Sequence, residues 1–148
     1  MSDCVFCRII DGDLDAKVVF EDDVSIAFLD HRPLFPGHTL LAPKKHFETL
    51  LDLPSTQVGT FFRNAQLLAR SIESALAAQG SFVAINNRVS QSVPHLHVHV
   101  VPRRRKDGLK GFFWPRTKYQ NESEMDLVQK AIRAAIENDL KKSRSELI

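Results

Sequence analysis

Pro94-His95-Leu96-His97-Val98-His99-Val100-Val101-Pro102 alternates histidine with aliphatic residues between two prolines. Strict alternation rich in β-branched residues predicts a strand. A strand sends successive side chains to opposite faces, so His95, His97 and His99 are expected on one face and Leu96, Val98 and Val100 on the other, facing the core. At a rise of about 3.3 Å per residue, neighbouring imidazoles stand about 6.6 Å apart and the outer pair about 13 Å apart. One ligand can span that row. The polar face of a half-buried strand can carry histidine without any chemistry, but three in register on a chain with six histidines make coincidence a poor account. Two chemical readings remain. Imidazoles at i and i+2 can chelate zinc. Alternatively, histidine can attack phosphate as a nucleophile, splitting one displacement into two easier ones, while a neighbouring imidazole steadies phosphate oxygens and the leaving group.

Working outward, 148 residues suit one compact domain, and 43% hydrophobic with 26% charged residues is an ordinary globular balance. A net charge of +2 is too mild to make nucleic acid the first partner to expect, and anionic small molecules fit it equally well. No apolar run approaches a membrane span. Residues 1–10 have neither a basic leader nor the apolar core of a signal peptide, so the cytosol is the expected address.

Cys4 and Cys7 are the only cysteines, in a Cys-x-x-Cys pair. A redox pair would follow a strand and open a helix, and no strand precedes them. The reducing cytosol disfavours a disulfide. Half of a zinc site is the remaining reading, and it leaves two ligands to come from elsewhere.

Residues 7–12 read as a short helical turn closed by Gly12, and residues 18–20 and 24–29 as two strands joined by the acidic turn Glu21-Asp22-Asp23. Pro33, Pro36 and Gly37 break the chain before a third strand at 39–42, with His38 at its entrance and His46 in the connection beyond. From 54 to 79, Val58, Phe61, Phe62, Ala65, Leu68, Ala69, Ile72, Ala75 and Leu76 recur at spacings of three and four. That marks one long amphipathic helix, with Gly80 expected to stop it and the phenylalanines on its core stripe. Residues 82–85 form a fourth strand and the histidine row a fifth. Hairpins around one long helix give an α+β fold with an antiparallel sheet. Beyond Pro102 come a basic run at 103–106, the aromatic run Phe112-Phe113-Trp114, and an amphipathic helix near 123–142 whose apolar stripe needs a covering surface. The basic run reads either as a solvated face or as a device that steers polyanionic substrates.

The stretch from Gln91 to Val101 resembles the signature of the histidine triad (HIT) family of nucleotide-binding hydrolases and transferases acting at an α-phosphate. Pro36-Gly37-His38-Thr39-Leu40 and Phe28-Leu29-Asp30 resemble that family in the expected order. The resemblance implies a five-stranded antiparallel sheet with one long and one short helix over residues 1–105. A C-terminal extension over 106–148 would pack its helix on the same domain or on the partner of a homodimer. It implies a small-molecule nucleotide as partner, with no nucleic acid and no membrane.

By the same resemblance the catalytic residues are His97, the nucleophile; His99, which hydrogen-bonds the α-phosphate and leaving-group oxygen; and His38, packed beside the nucleophile. Asn86, Gln91 and Ser92 match polar residues that hold phosphate oxygens, Asp30 the clamp on the ribose hydroxyls, and Phe6, Ile9 and Phe28 the walls of the base slot. His31 departs from the aliphatic residue usual in the family. A zinc-containing branch has ligands matching Cys4, Cys7, His46 and His95, a closed structural set in which His95 belongs to zinc and leaves His97 and His99 for phosphate. The implied activity is hydrolysis of an AMP-amine, aminoacyl-AMP or dinucleoside polyphosphate through a nucleotidyl-histidine. The alternatives are a dinucleoside-polyphosphate phosphorylase or nucleotidyltransferase, and a nucleotide-binding scaffold without turnover. Retention of His99, where the uridylyltransferase branch has glutamine, favours hydrolysis.

Overall fold

A computed structural model describes residues 3–109 and 117–145. The chain forms two compact units, Met1–Asp107 and Gly108–Ile148. In the first, helix α1 (Val5–Ile10) precedes strands β1 (Val18–Glu21), β2 (Ser25–Leu29) and β3 (Thr39–Pro43). A 3-10 turn (Leu50–Asp52), helix α2 (Ser55–Leu76) and strands β4 (Gly80–Ala84) and β5 (Val98–Arg103) follow. One five-stranded antiparallel sheet results, in the order β1-β2-β3-β5-β4.

The β1–β2 hairpin is made by its acidic turn. Asp22 Oδ1 accepts the backbone N–H groups of Val24 and Ser25 at 2.9 and 2.7 Å, which is how a short carboxylate substitutes for a backbone turn. Asn64 of α2 donates to Asp22 Oδ2 at 2.6 Å and to Ser25 Oγ at 2.8 Å, tying the long helix to that hairpin. The apolar stripe of α2 places Phe61, Ala65 and Leu68 against Ala27, Leu41, Leu96, Val98 and Val100. Phe61 is fully buried, whereas Phe62, one position off the stripe, is among the exposed apolar side chains.

The helix does not run to Gly80. It ends at Ala77, which adopts a left-handed conformation (φ 48°), and Gly80 is the first residue of β4. A left-handed alanine costs about 1–2 kcal/mol. The terminal carbonyls repay it, because the Arg104 guanidinium donates to Leu76 O and Ala77 O, and Ala78 N–H to Glu73 O.

The histidine row is likewise shorter as a strand than its alternation predicts. Leu96, Val98 and Val100 are all fully buried, as expected, but pairing with β3 starts only at Val98. Residues 92–95 bend, with His95 N–H bonded to Val93 O, and Leu96 N–H goes to Phe47 O instead of to the sheet. The bend turns His95 away from the other two imidazoles.

The second unit contains helix α3 (Glu122–Ser145), on which Leu127, Val128, Ile132 and Ile136 are exposed. Phe112, Phe113 and Trp114 lie outside the described residues.

Candidate active site and metal centre

Cys4 is the N-cap of α1 and Cys7 stands one turn later, so the two thiols share one end and one face of the helix. His46 approaches from the connection after β3 and His95 from the bend before β5. The ligand atoms of these four residues lie within 4.8 Å of one another. Cys4 Sγ is 3.4 Å and Cys7 Sγ 3.6 Å from His95 Nδ1, and Cys7 Sγ is 3.3 Å from His46 Nδ1. A tetrahedral zinc with bonds of about 2.3 Å to sulfur and about 2.0 Å to nitrogen separates such ligands by roughly 3.5 Å.

The surroundings suit a metal as well. His95 is fully buried and its Nε2 lies 2.8 Å from Pro43 O, to which it donates, so the Nδ1 lone pair faces the sulfurs. Burial pushes its pKa down to about 4, against the opposing bond to Pro43, which keeps the imidazole in the neutral, ligating form. The four residues can therefore hold a metal ion.

Phe6, whose ring centre is 5.7 Å from that of His95, also lines a cavity of about 1200 Å³. Phe6, Ile9 and Phe28 form an apolar wall, with the Phe6 and Phe28 rings edge to face at 5.2 Å. Asp30, Ser92, His97 and His99 supply polar groups to the same cavity. Phe6 also meets the His97 ring edge-on at 5.1 Å, so the wall sets the imidazole plane.

His97 is nearly buried, and its Nδ1 donates to its neighbour's carbonyl, His95 O, at 2.7 Å. Its Nε2 therefore carries the lone pair. Burial lowers the pKa of His97, opposed by that bond and by Asp30, and so favours the neutral form.

His38 bonds not to His97 but to His99. The register pairs Leu40 with His99, which puts His38 on the same face and diagonal to it. Leu34 N–H donates to His38 Nδ1 at 3.1 Å, so the His38 proton is on Nε2, 2.9 Å from His99 Nδ1. His99 Nδ1 must then accept, and its own proton sits on Nε2. One backbone N–H thus dictates the tautomers of two imidazoles in series. Burial, then the imidazoles of His97 and His38, push His99 down to about 4, against the pull of Asp30. Burial also lowers His38. A neutral N–H donor and an unprotonated ring nitrogen accordingly lie side by side, with ring centres 4.9 Å apart. Such a pair can bind, and can displace at, a phosphoryl group.

Ser92 lines the cavity, but Gln91 does not: its Nε2 donates to Glu48 O at 2.6 Å and its Oε1 accepts Arg88 N–H at 2.7 Å, bracing the loop that carries Ser92. Asn86 is exposed and outside the lining, while Asn87 next to it accepts Leu50 N–H. His31 is at the rim, its side chain 90% exposed. Leu40, Val93, Lys17 and Arg32 also line the cavity. Leu40 and Val93 fall within the two quoted motifs, whereas no motif marks Lys17 and Arg32, which the β1–β2 pairing and the turn after β2 bring to the site.

Residues 11–106 match the model of the HIT domain. The chain belongs to the HIT family. Among its relatives, a HIT-like protein of Methanocaldococcus jannaschii is 39% identical over 71% of this chain and 82% of that protein. An adenylylsulfatase of Arabidopsis thaliana is 34% identical over 73% of this chain and 56% of its own length. The solved zinc-bound histidine triad family protein of Mycobacterium smegmatis is 36% identical, with a TM-score of 0.69 over 92% of this chain and 97% of the other. Membership puts the protein among nucleotide hydrolases and transferases and agrees with the five-stranded sheet. Cys4 and Cys7 precede the matched HIT segment.

Proposed function

We propose that the protein hydrolyses adenylyl groups joined to a leaving group at the α-phosphate, by way of a nucleotidyl-His97. The observation that carries this reading is the His97 Nδ1–H to His95 O bond, which leaves Nε2 unprotonated in a cavity with an apolar slot at one side. Nε2 attacks phosphorus, the P–N bond forms, and the bond to the leaving group breaks with its electron pair going to that group. The positive charge developing on the ring is met by the His95 carbonyl through Nδ1–H. Water then adds to phosphorus, the P–N pair returns to Nε2, and a water proton leaves to solvent. Asp30 accepts the ribose hydroxyls, Phe6, Ile9 and Phe28 flank the base, and Ser92 holds a phosphate oxygen. Gln91 serves the same phosphate by bracing the Ser92 loop.

His99 donates Nε2–H to the bridging atom, and His38 keeps that proton on Nε2. A neutral imidazole cannot give up its N–H to an amine; it hydrogen-bonds the departing nitrogen while solvent supplies the proton, and that help matters more for an amine, the poorer leaving group, than for sulfate or carboxylate. His99→Ala is therefore expected to lower kcat/KM by roughly 10²–10⁴-fold on AMP-amine substrates and by distinctly less on adenylyl sulfate. Equal losses on both, or none, would remove His99 from this role. Related dinucleoside polyphosphates, assayed with and without phosphate, distinguish hydrolysis from phosphorolysis.

Zinc on Cys4, Cys7, His46 and His95 would be structural: four protein ligands leave no open position for substrate. When bound it pins the start of α1, and with it Phe6, to the segment that carries His97. Residues 1–105 form the catalytic core in this reading and 106–148 the extension. The protein works in the cytosol as a homodimer, so light scattering at micromolar concentration should give twice the chain mass; a monomer throughout that range would contradict it.

A further inference from the structure

At its Asp30 end the cavity carries two cations that a nucleoside monophosphate held by the histidines does not use. Lys17 and Arg32 both line it there, together with His31. Both reach this end of the cavity because Lys17 O accepts Leu29 N–H at 3.0 Å across the β1–β2 edge, while Arg32 N–H closes a turn on Asp30 Oδ1 at 2.9 Å. Neither Lys17 nor Arg32 has an ion-pair partner among the described residues. Asp15 is on the same wall, and Asp30 already accepts from Arg32 N–H with His38 3.7 Å from its other oxygen. Two exposed cations with no ion-pair partner among the described residues, at the edge where the reading above puts the ribose hydroxyls, can meet an anion attached to the sugar. The volume allows it: about 1200 Å³ exceeds the roughly 300–1000 Å³ of an ordinary small-molecule pocket.

We propose that Lys17 and Arg32 form a ribose-phosphate subsite, so that the protein prefers adenylyl substrates carrying a further phosphate on the 2′ or 3′ oxygen. This rests on the nucleotide reading above and goes beyond it by naming the substituent. A phosphate on one ribose oxygen leaves the other hydroxyl to donate to Asp30, and its charge meets the guanidinium as a fork and the ammonium as a point charge. Repulsion from Asp30 and Asp15 limits the gain, and exposed charge pairs are individually weak. The expected preference is therefore modest and salt-sensitive.

The test is calorimetric binding of AMP, adenosine 2′,5′-bisphosphate and adenosine 3′,5′-bisphosphate to the full-length protein at low and high salt. One bisphosphate is expected to bind about five- to tenfold tighter than AMP at low salt, and the favoured isomer identifies the oxygen. The ratio should shrink at high salt and fall to about one in Lys17→Gln with Arg32→Gln, while Lys17→Arg with Arg32→Lys keeps it above one. A wild-type ratio of one with measurable AMP binding overturns the subsite and leaves the nucleotide reading standing, as does a preference that survives the glutamine pair. Failure of all three ligands to bind overturns both.

Discussion

Replacing His97 with alanine is expected to lower activity on an AMP-linked fluorogenic substrate by several orders of magnitude while AMP binding persists. Among the described residues that line the cavity, this side chain alone has its tautomer set by a backbone carbonyl so that its other ring nitrogen is unprotonated, and without it no covalent intermediate can form. The base slot and Asp30 are untouched, which is why binding should survive. Truncation also removes an edge contact with Phe6 and leaves the His95 carbonyl without its donor, a cost of about 1–3 kcal/mol. His97→Gln, a polar replacement that keeps more of the side-chain volume, separates lost chemistry from lost stability. Rapid acid-free quenching of the wild type with labelled substrate should trap a phosphoramidate that maps to His97. An adduct on another residue, or full activity in His97→Ala, would refute the mechanism.

The second large effect concerns the metal. Purified protein made without a metal-binding tag is expected to carry about one zinc per chain, and Cys4→Ser with Cys7→Ser to carry almost none. The pair of substitutions removes both sulfur ligands and leaves His95, buried with its Nδ1 lone pair aimed at them, without a partner on that side. Structural zinc contributes directly to folding free energy. Because this chain has a separate apolar core on α2 and the sheet, the double variant should fold but melt roughly 10 °C lower, the effect of a loss of about 3 kcal/mol in a chain of this size. AMP affinity should fall too, through Phe6, which follows Cys4 by two residues and packs on both Phe28 and His97. Metal analysis and calorimetry decide it: zinc content unchanged in the double variant would refute the ligand set.

Local pattern carried much of this. Alternation in the histidine row identified Leu96, Val98 and Val100 as core, and helical spacing identified α2, because periodicity reports which face of an element is apolar wherever that element packs. The two cysteines three residues apart, and the motif resemblance that joined them to His46 and His95, anticipated the four-residue cluster. The spacing of the cysteines alone left two ligands open.

What only the tertiary structure decided were relations between elements. The helix end at Ala77 depends on Arg104, which is 27 residues further along the chain. That His38 serves His99 and not His97 follows from the β3–β5 register, since a one-residue slip would turn His38 to the other face. The histidine row itself divides because the bend at 92–95 sends His95 to the sulfurs while β5 keeps His99, and a bond from Leu96 to Phe47 holds the segment between them. Lys17 and Arg32 carry no motif and reach one cavity only through the β1–β2 hairpin and the turn that follows it. Side-chain periodicity is a property of one segment, whereas hydrogen-bond partners and charge neighbours depend on the distance between segments, which the packed sheet sets.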